Sequence, residues 1–280
     1  MTGASGFIGQ RLIISLSKIG HYVKAFSRKK INLLSDNLEY KNINDYRKII
    51  NTDSSAICIH LAGESVVSVV ENDFHNLFSD SLDLAEHLLS QNFNKIIFTS
   101  SAMVYGASQE FRSSCEIDPI NTQNAYAKIK HSVEKKLLSE NHIIVRLSNV
   151  YGINMLNKNI FYDIMSQIPQ KGPLRLKNSF DVIDIINIED VICAIVAMVS
   201  KPKEGIFNIS SGIGIRANKL AKEILKLSGQ PERNIFSHKG INEASYLVLN
   251  NNQLKKHYNW YPKVGFTEGI KQYVSNFTSK

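Results

Sequence analysis

Tyr126 and Lys130 stand four residues apart in the run Tyr126-Ala127-Lys128-Ile129-Lys130, and on a helix that spacing puts both side chains on one face. A phenol that titrates near pH ~10 is a poor proton carrier at neutrality; a cation beside it stabilises the phenolate and lowers its pKa. Ser101 closes the apolar run that starts at Lys95 and adds a hydroxyl at the edge where a parallel sheet meets its ligands. Ser101, Tyr126 and Lys130 can then converge on one carbonyl and move a proton to or from its oxygen. A Tyr and a Lys at this spacing alone describe an ordinary helix surface; the combination with Ser101 carries the chemistry.

A second motif offers a place for an anionic ligand. Thr2-Gly3-Ala4-Ser5-Gly6-Phe7-Ile8-Gly9 sets glycines at three-residue intervals directly before a helical pattern. A side chain at Gly3 or Gly6 would hold the backbone away from a pyrophosphate, and the following helix offers free N–H groups and its positive dipole end. Gly3, Ser5, Gly6, Phe7, Ile8 and Gly9 are therefore the expected cofactor cradle. At the end of the next strand, an acidic residue would accept from ribose hydroxyls and repel a 2′-phosphate. This chain has Ser27 there, then Arg28, Lys29 and Lys30. Three cations and no carboxylate argue for NADP over NAD, with Arg28 as the bidentate partner of the 2′-phosphate and Ser27 as a weaker one.

The elements that must position these residues alternate between strand and helix over residues 1–150. Helical periodicity covers Phe7 to Ile19, stopped by Gly20, and later Phe78 to Leu89 and Asn124 to Ser139. His21 to Phe26, Ala56 to Ala62, Lys95 to Thr99 and Ile143 to Leu147 read as strands, most of them apolar throughout as in a sheet covered on both faces. This predicts an α/β fold with a doubly wound parallel sheet. Only Met1 and Thr2 precede Gly3, so the central first strand is expected to be shortened, as from a truncation or a late start. Residues 151–280 are expected to form mainly a smaller substrate-binding lobe, some segments returning to the first domain. Its elements are a strand from Val182 to Ile188, a helix from Glu189 to Val199, a strand from Gly205 to Ser210, and helices from Ala217 to Leu227 and Thr267 to Phe277.

The chain has 280 residues, of which 43% are hydrophobic and 21% charged, an ordinary globular composition that excludes disorder. No apolar stretch approaches the ~18 residues of a membrane helix, and no secretory leader is visible, so the cytosol is the expected compartment. Three widely spaced cysteines fit reduced thiols and no metal site, with Cys58 and Cys193 read as core residues from their apolar neighbours. The net charge of +8 comes from basic residues spread along the chain. That argues against nucleic acid and for a phosphate-bearing small ligand.

The chain resembles the extended short-chain dehydrogenase/reductase family, in its branch of nucleotide-sugar epimerases, dehydratases and ketoreductases. The resemblance rests on the Thr2 to Gly9 loop, His60-Leu61-Ala62-Gly63, Ser100-Ser101-Ala102-Met103-Val104-Tyr105-Gly106, Tyr126 to Lys130, and Arg146-Leu147-Ser148-Asn149-Val150-Tyr151-Gly152. It implies a Rossmann-type domain, a nucleotide-sugar substrate and a homodimer built from the helices Phe78 to Leu89 and Asn124 to Ser139. It also implies that Ser101 hydrogen-bonds the reacting oxygen, Tyr126 moves its proton, and Lys130 holds the nicotinamide ribose. Leu61, Ala62 and Gly63 would line the cofactor, and Asn149 would contact the substrate. Relatives often carry an Asp-Ile pair near the adenine where this chain has Asn42-Ile43. They also often carry an Arg where it has Ile183, so Arg175 or Arg216 is the expected substitute phosphate contact.

Two residues narrow the implied reaction. Sugar dehydratases of this family follow the catalytic hydroxyl residue with an Asp-Glu pair, because eliminating water needs a further acid and base. Ala102 and Met103 stand there and cannot titrate. Epimerising enzymes of the GDP-fucose synthase type place a Cys where Met103 faces the substrate. NADPH reduction of a nucleotide-linked 4-keto-6-deoxy sugar is the leading expectation. NAD-dependent 4-epimerisation is the alternative, and a non-catalytic cofactor- or RNA-binding member is a third reading, disfavoured because all three catalytic-type residues are present.

Overall fold

The computed structural model describes residues 1–31, 33, 35–155 and 159–278. Its elements run α1 (Phe7–Lys18), β1 (Val23–Ser27), β2 (Leu38–Asn42), β3 (Ile57–His60), α2 (Val67–Asn72), α3 (Phe74–Ser90), β4 (Lys95–Ser101), α4 (Ala125–Leu138) and β5 (Ile143–Leu147). There follow β6 (Asn149–Tyr151), α5 (Ile160–Met165), β7 (Leu174–Leu176), β8 (Val182–Asn187), α6 (Ile188–Ser200), β9 (Gly205–Ile209), β10 (Gly214–Arg216), α7 (Ala217–Leu227), β11 (Ile235–Ser237), β12 (Tyr246–Leu247), α8 (Asn252–Tyr258) and α9 (Phe266–Thr278). The chain forms two units. One comprises Met1–Val104, Asn121–Arg146 and Ile192–Phe207; the other comprises Tyr105–Ile120, Leu147–Val191 and Asn208–Lys280.

In the first unit β1 pairs β2 in parallel, and β3, β4, β5 and β9 lie in that order in a second sheet, with β3 parallel to β4. Met1 and Thr2 join the two. Thr2 N–H donates to Ile59 C=O at 3.0 Å, and on the other side Phe26 N–H donates to Met1 C=O at 2.9 Å. The Met1 amine donates to Lys24 C=O at 2.7 Å. The spatial order is therefore β2, β1, the Met1–Thr2 segment, β3, β4, β5, β9, with the central position filled by two residues. A cavity of about 330 Å³ opens beside Met1, lined by Val23, Lys24, Ile49, Ile57, Ile59 and Phe93 among others.

Apolar burial holds the sheet to its helices. Cys58, Ile96, Phe98 and Ile144 from the strands pack with Ala85 and Leu88 of α3 and Val133 and Leu137 of α4. These four helix positions recur at helical spacing, which is why the two helices lie against the sheet. The Asn124 side chain accepts the Ala127 N–H at 2.8 Å and so fixes where α4 starts. Cys193 does not join a core: it lies exposed on α6, on the outer side of a helix whose apolar neighbours face inward.

The second unit is organised on β8, which pairs β6 and β12 in parallel and β10 in antiparallel fashion. Buried Asp184 of β8 accepts from Ser211 N–H, Ser211 hydroxyl and Gly212 N–H at 2.8–3.1 Å, pinning the turn that leads into β10.

Candidate active site

Three elements of the first unit bring the reactive side chains together. Ser101 ends β4, and its Oγ accepts the Met103 N–H at 3.2 Å while the hydroxyl hydrogen-bonds Tyr126. Tyr126 lies in the first turn of α4, and Lys130 one turn later. The Lys130 Nζ donates to Thr99 C=O at 2.8 Å and sits 4.8 Å from the Phe98 ring and 5.7 Å from the Tyr126 ring. Met103 is half-buried beside this group.

The electrostatic balance differs from the sequence expectation. Burial pushes the Tyr126 phenol up to about 12; the Ser101 hydrogen bond works against this and the Glu64 charge adds to it. Burial brings Lys130 down to about 8, with Glu134 holding it up. Desolvation thus outweighs the expected lowering by Lys130, whose ammonium is spent on Thr99 C=O and the Phe98 face. At neutral pH Tyr126 is a hydroxyl with a proton to give.

Sequence reading missed a support one turn further along α4. Glu134 is fully buried and receives Arg146 of β5 through both oxygens, Nε to Oε1 at 3.1 Å and Nη2 to Oε2 at 2.7 Å. The signal was available: an Arg inside the apolar run Ile143 to Leu147 needs a buried carboxylate partner.

The glycine loop has the geometry of a phosphate cradle. Gly3 adopts φ +66°, and a Cβ there would lie 2.7 Å from Ala62 N; a Cβ on Gly9 would lie 2.5 Å from Gly3 C=O. Larger residues cannot pack this loop against the segment after β3. Gly6 starts α1 with no side-chain cap and no acid in the first turn, so the helix presents N–H groups and positive potential at Phe7 and Ile8. Ser5 C=O accepts from Gln10 at 2.8 Å, which steadies the loop. Leu61, Ala62 and Gly63 pass beside it: Ala62 N–H donates to Thr2 Oγ1 at 3.2 Å, and a Cβ on Gly63 would stand 3.7 Å from Lys130 Nζ. One wall therefore runs from the cradle to Lys130, and these residues fit a dinucleotide.

Ser27 has a different job from the expected one. It is fully buried, its Oγ donates to Lys29 C=O at 2.6 Å and accepts Lys29 N–H at 3.0 Å, and so it builds the turn. Tyr40 also donates to Lys29 C=O, at 3.0 Å. Arg28 stands exposed on that braced turn.

In the second unit Asn149 spends its amide on Asp184 C=O at 3.0 Å. Arg175 lies over the Phe236 ring at 5.3 Å and helps line a cavity of about 480 Å³ with Asp163, Gln167, Lys177, Asp181 and His238. Arg216 is exposed at the start of α7 and does not line that cavity. Among the described residues no group of His, Cys, Asp and Glu could hold a metal ion.

Comparison with known proteins bears on the family and the fold. The model of the NAD dependent epimerase/dehydratase family matches residues 1–210. A UDP-glucose 4-epimerase of Neisseria meningitidis serogroup C is 30% identical over 158 residues, 49% of this chain and 46% of the relative. A UDP-glucose 4-epimerase of Thermotoga maritima, solved with UDP-glucose, superposes with a TM-score of 0.85 at 21% identity, covering 99% of this chain and 97% of that one. RMD of Pseudomonas aeruginosa, complexed with NADPH, superposes with a TM-score of 0.80 at 19% identity, covering 99% and 97%.

Proposed function

The chain belongs to the NAD dependent epimerase/dehydratase family, and from that premise we propose that it is an NADP-dependent reductase of a nucleotide-linked 4-keto-6-deoxy sugar. The observation that carries this is the Ser101–Tyr126 hydrogen bond, with Tyr126 kept in its acid form beside Lys130. Bound NADPH supplies the hydride. As the substrate carbonyl becomes a carbinol, Tyr126 gives its hydroxyl proton to the oxygen and Ser101 stabilises the developing charge with a hydrogen bond. Lys130 orients the cofactor ribose and later helps the phenolate regain a proton. Ala102 and Met103, next after Ser101, offer no second acid or base, which speaks against dehydration.

Net NADPH oxidation on addition of 4-keto-6-deoxy sugar nucleotides, followed at 340 nm, is the expected result. The names of the Neisseria and Thermotoga relatives favour a second reading, 4-epimerisation. Interconversion of two sugar nucleotides without net cofactor turnover would replace the first reading with it. Arg175 and the cavity it lines support a place for the nucleotide diphosphate in the second unit.

We take Arg28, exposed on the turn that Ser27 builds, as the residue that selects the cofactor. Arg28→Asp is expected to reverse the preference, since it removes a guanidinium fork and sets a carboxylate against the 2′-phosphate. Dissociation constants for NADP and NAD, measured on both proteins, check this; an unchanged ratio would show that Arg28 does not face the adenosine ribose.

We also propose a homodimer through α3 and α4. These helices pack on each other in the first unit. Ala85 is fully buried, and Leu82 and Leu89 pack against the same core while staying partly exposed, which leaves part of their apolar surface for a symmetry mate. Light scattering at micromolar concentration should give twice the chain mass, and a monomer there rules the interface out.

A further inference from the structure

The turn after β1 is braced from the neighbouring strand. Lys29 C=O accepts two hydroxyls, from Ser27 at 2.6 Å and from Tyr40 at 3.0 Å, and the Asn42 side-chain amide donates to the Tyr40 oxygen at 3.2 Å. Tyr40 and Asn42 are two residues apart on β2 and so lie on one face of it. β2 runs in parallel register with β1, and Asn42 stands opposite Ser27. We propose that Tyr40 and Asn42 are positioning residues for Arg28: a hydrogen-bonded strut from β2 that holds the turn in the shape in which the guanidinium meets a 2′-phosphate. They thereby set the discrimination between phosphorylated and unphosphorylated adenosine ribose. The proposal deepens the cofactor reading and rests on Arg28 being the residue that selects the cofactor.

The backbone is held on both sides of Arg28. Before it, Ser27 C=O accepts the Ile43 N–H at 3.0 Å. After it, the Lys29 N–H is on Ser27 Oγ at 3.0 Å and the Lys29 C=O is on the two hydroxyls. Ser27 closes the turn on itself, and Tyr40 ties the far side of that turn to β2. Arg28 is left with its side-chain rotations to settle, and a guanidinium on an ordered backbone loses less freedom when it binds an anion. The residue types fit this direction of donation. A carbonyl can only accept, so the phenol proton goes to Lys29. The phenol oxygen then takes a donor, which an amide supplies and an ionised carboxylate cannot. Both bonds of the strut are exposed, so water competes with them and each contributes modestly.

Adenosine 2′,5′-bisphosphate and adenosine 5′-monophosphate, titrated by calorimetry, probe the adenosine end of the site without hydride chemistry. Tyr40→Phe keeps the half-buried ring and removes the hydroxyl. The ratio of the two affinities is expected to fall about three- to fivefold in Tyr40→Phe, the effect of one accessible hydrogen bond. Affinity for the 5′-monophosphate and the melting temperature should stay near the parent's. Asn42→Ala should lower the ratio by less, because the bond from Tyr40 to Lys29 remains. Damage that only disordered β2 would weaken both nucleotides alike and leave the ratio unmoved. In an Arg28→Ala background, Tyr40→Phe should lower the ratio no further, since the strut acts through Arg28. An unchanged ratio in Tyr40→Phe, with a lowered one in Arg28→Ala, overturns the strut and spares the cofactor reading. An unchanged ratio in Arg28→Ala discards that reading and the strut with it. A further fall in the double variant overturns the strut, because Tyr40 would then act by another route.

Discussion

Tyr126→Phe is expected to lower turnover by ~10²–10⁴-fold, the usual loss on removing a positioned acid–base group, while leaving the fold and cofactor affinity close to the parent's. The ring keeps its volume, and its contact with Lys130 is to the aromatic face and not through the hydroxyl. Ser101 keeps the Met103 N–H, so the end of β4 stays in place. Ser101→Ala should cost a smaller factor, because it removes one hydrogen bond to the reacting oxygen and no proton carrier. Lys130→Met should act on affinity as well as rate, since it takes away the ammonium that stands next to the Gly63 wall. Steady-state turnover and a cofactor fluorescence titration on the three variants separate these effects. Parent-like turnover in Tyr126→Phe would falsify the mechanism.

Glu134→Gln is expected to destabilise the protein by about 3–5 kcal/mol, the range for leaving one member of a buried ion pair without its partner. Arg146 is only 2% exposed, so its charge would stay buried opposite a neutral amide. The pair ties α4 to β5, so its loss strains both elements. Urea unfolding followed by circular dichroism gives the number. The double variant Glu134→Leu with Arg146→Met should be less destabilised than either single change, because two apolar chains of similar volume can fill the site. A double variant as unstable as the sum of its parts would mean that the two side chains act independently and that their pairing is not what holds α4 to β5.

How much of this was legible beforehand follows from which forces act locally. The Gly3 to Gly9 loop and the Tyr126–Lys130 spacing are short-range patterns whose geometry depends on backbone sterics and helix periodicity, and both came out where the spacing placed them. β3, β4 and β5 announced themselves because buried strands are apolar throughout. β2 was not readable: Leu-Glu-Tyr-Lys-Asn is a half-exposed edge strand with no hydrophobic run. α2 was missed because its Val-rich start favours strand on propensity, and it begins after Val66 with no side-chain cap to announce it. Ser27 illustrates the limit for the site. Its residue type suited a phosphate contact, and only the three-dimensional turn shows the hydroxyl already bonded to Lys29.

The glycine loop has a thermodynamic side. It joins β1 to the segment after β3, through Ala4 N–H on Phe26 C=O and the close approach of Gly3 to Ala62, and Arg28 stands on the turn after β1. A dinucleotide spanning the loop would act as a cross-tie between these parts, so slowed amide exchange in β1 and a rising melting temperature would both report its occupancy.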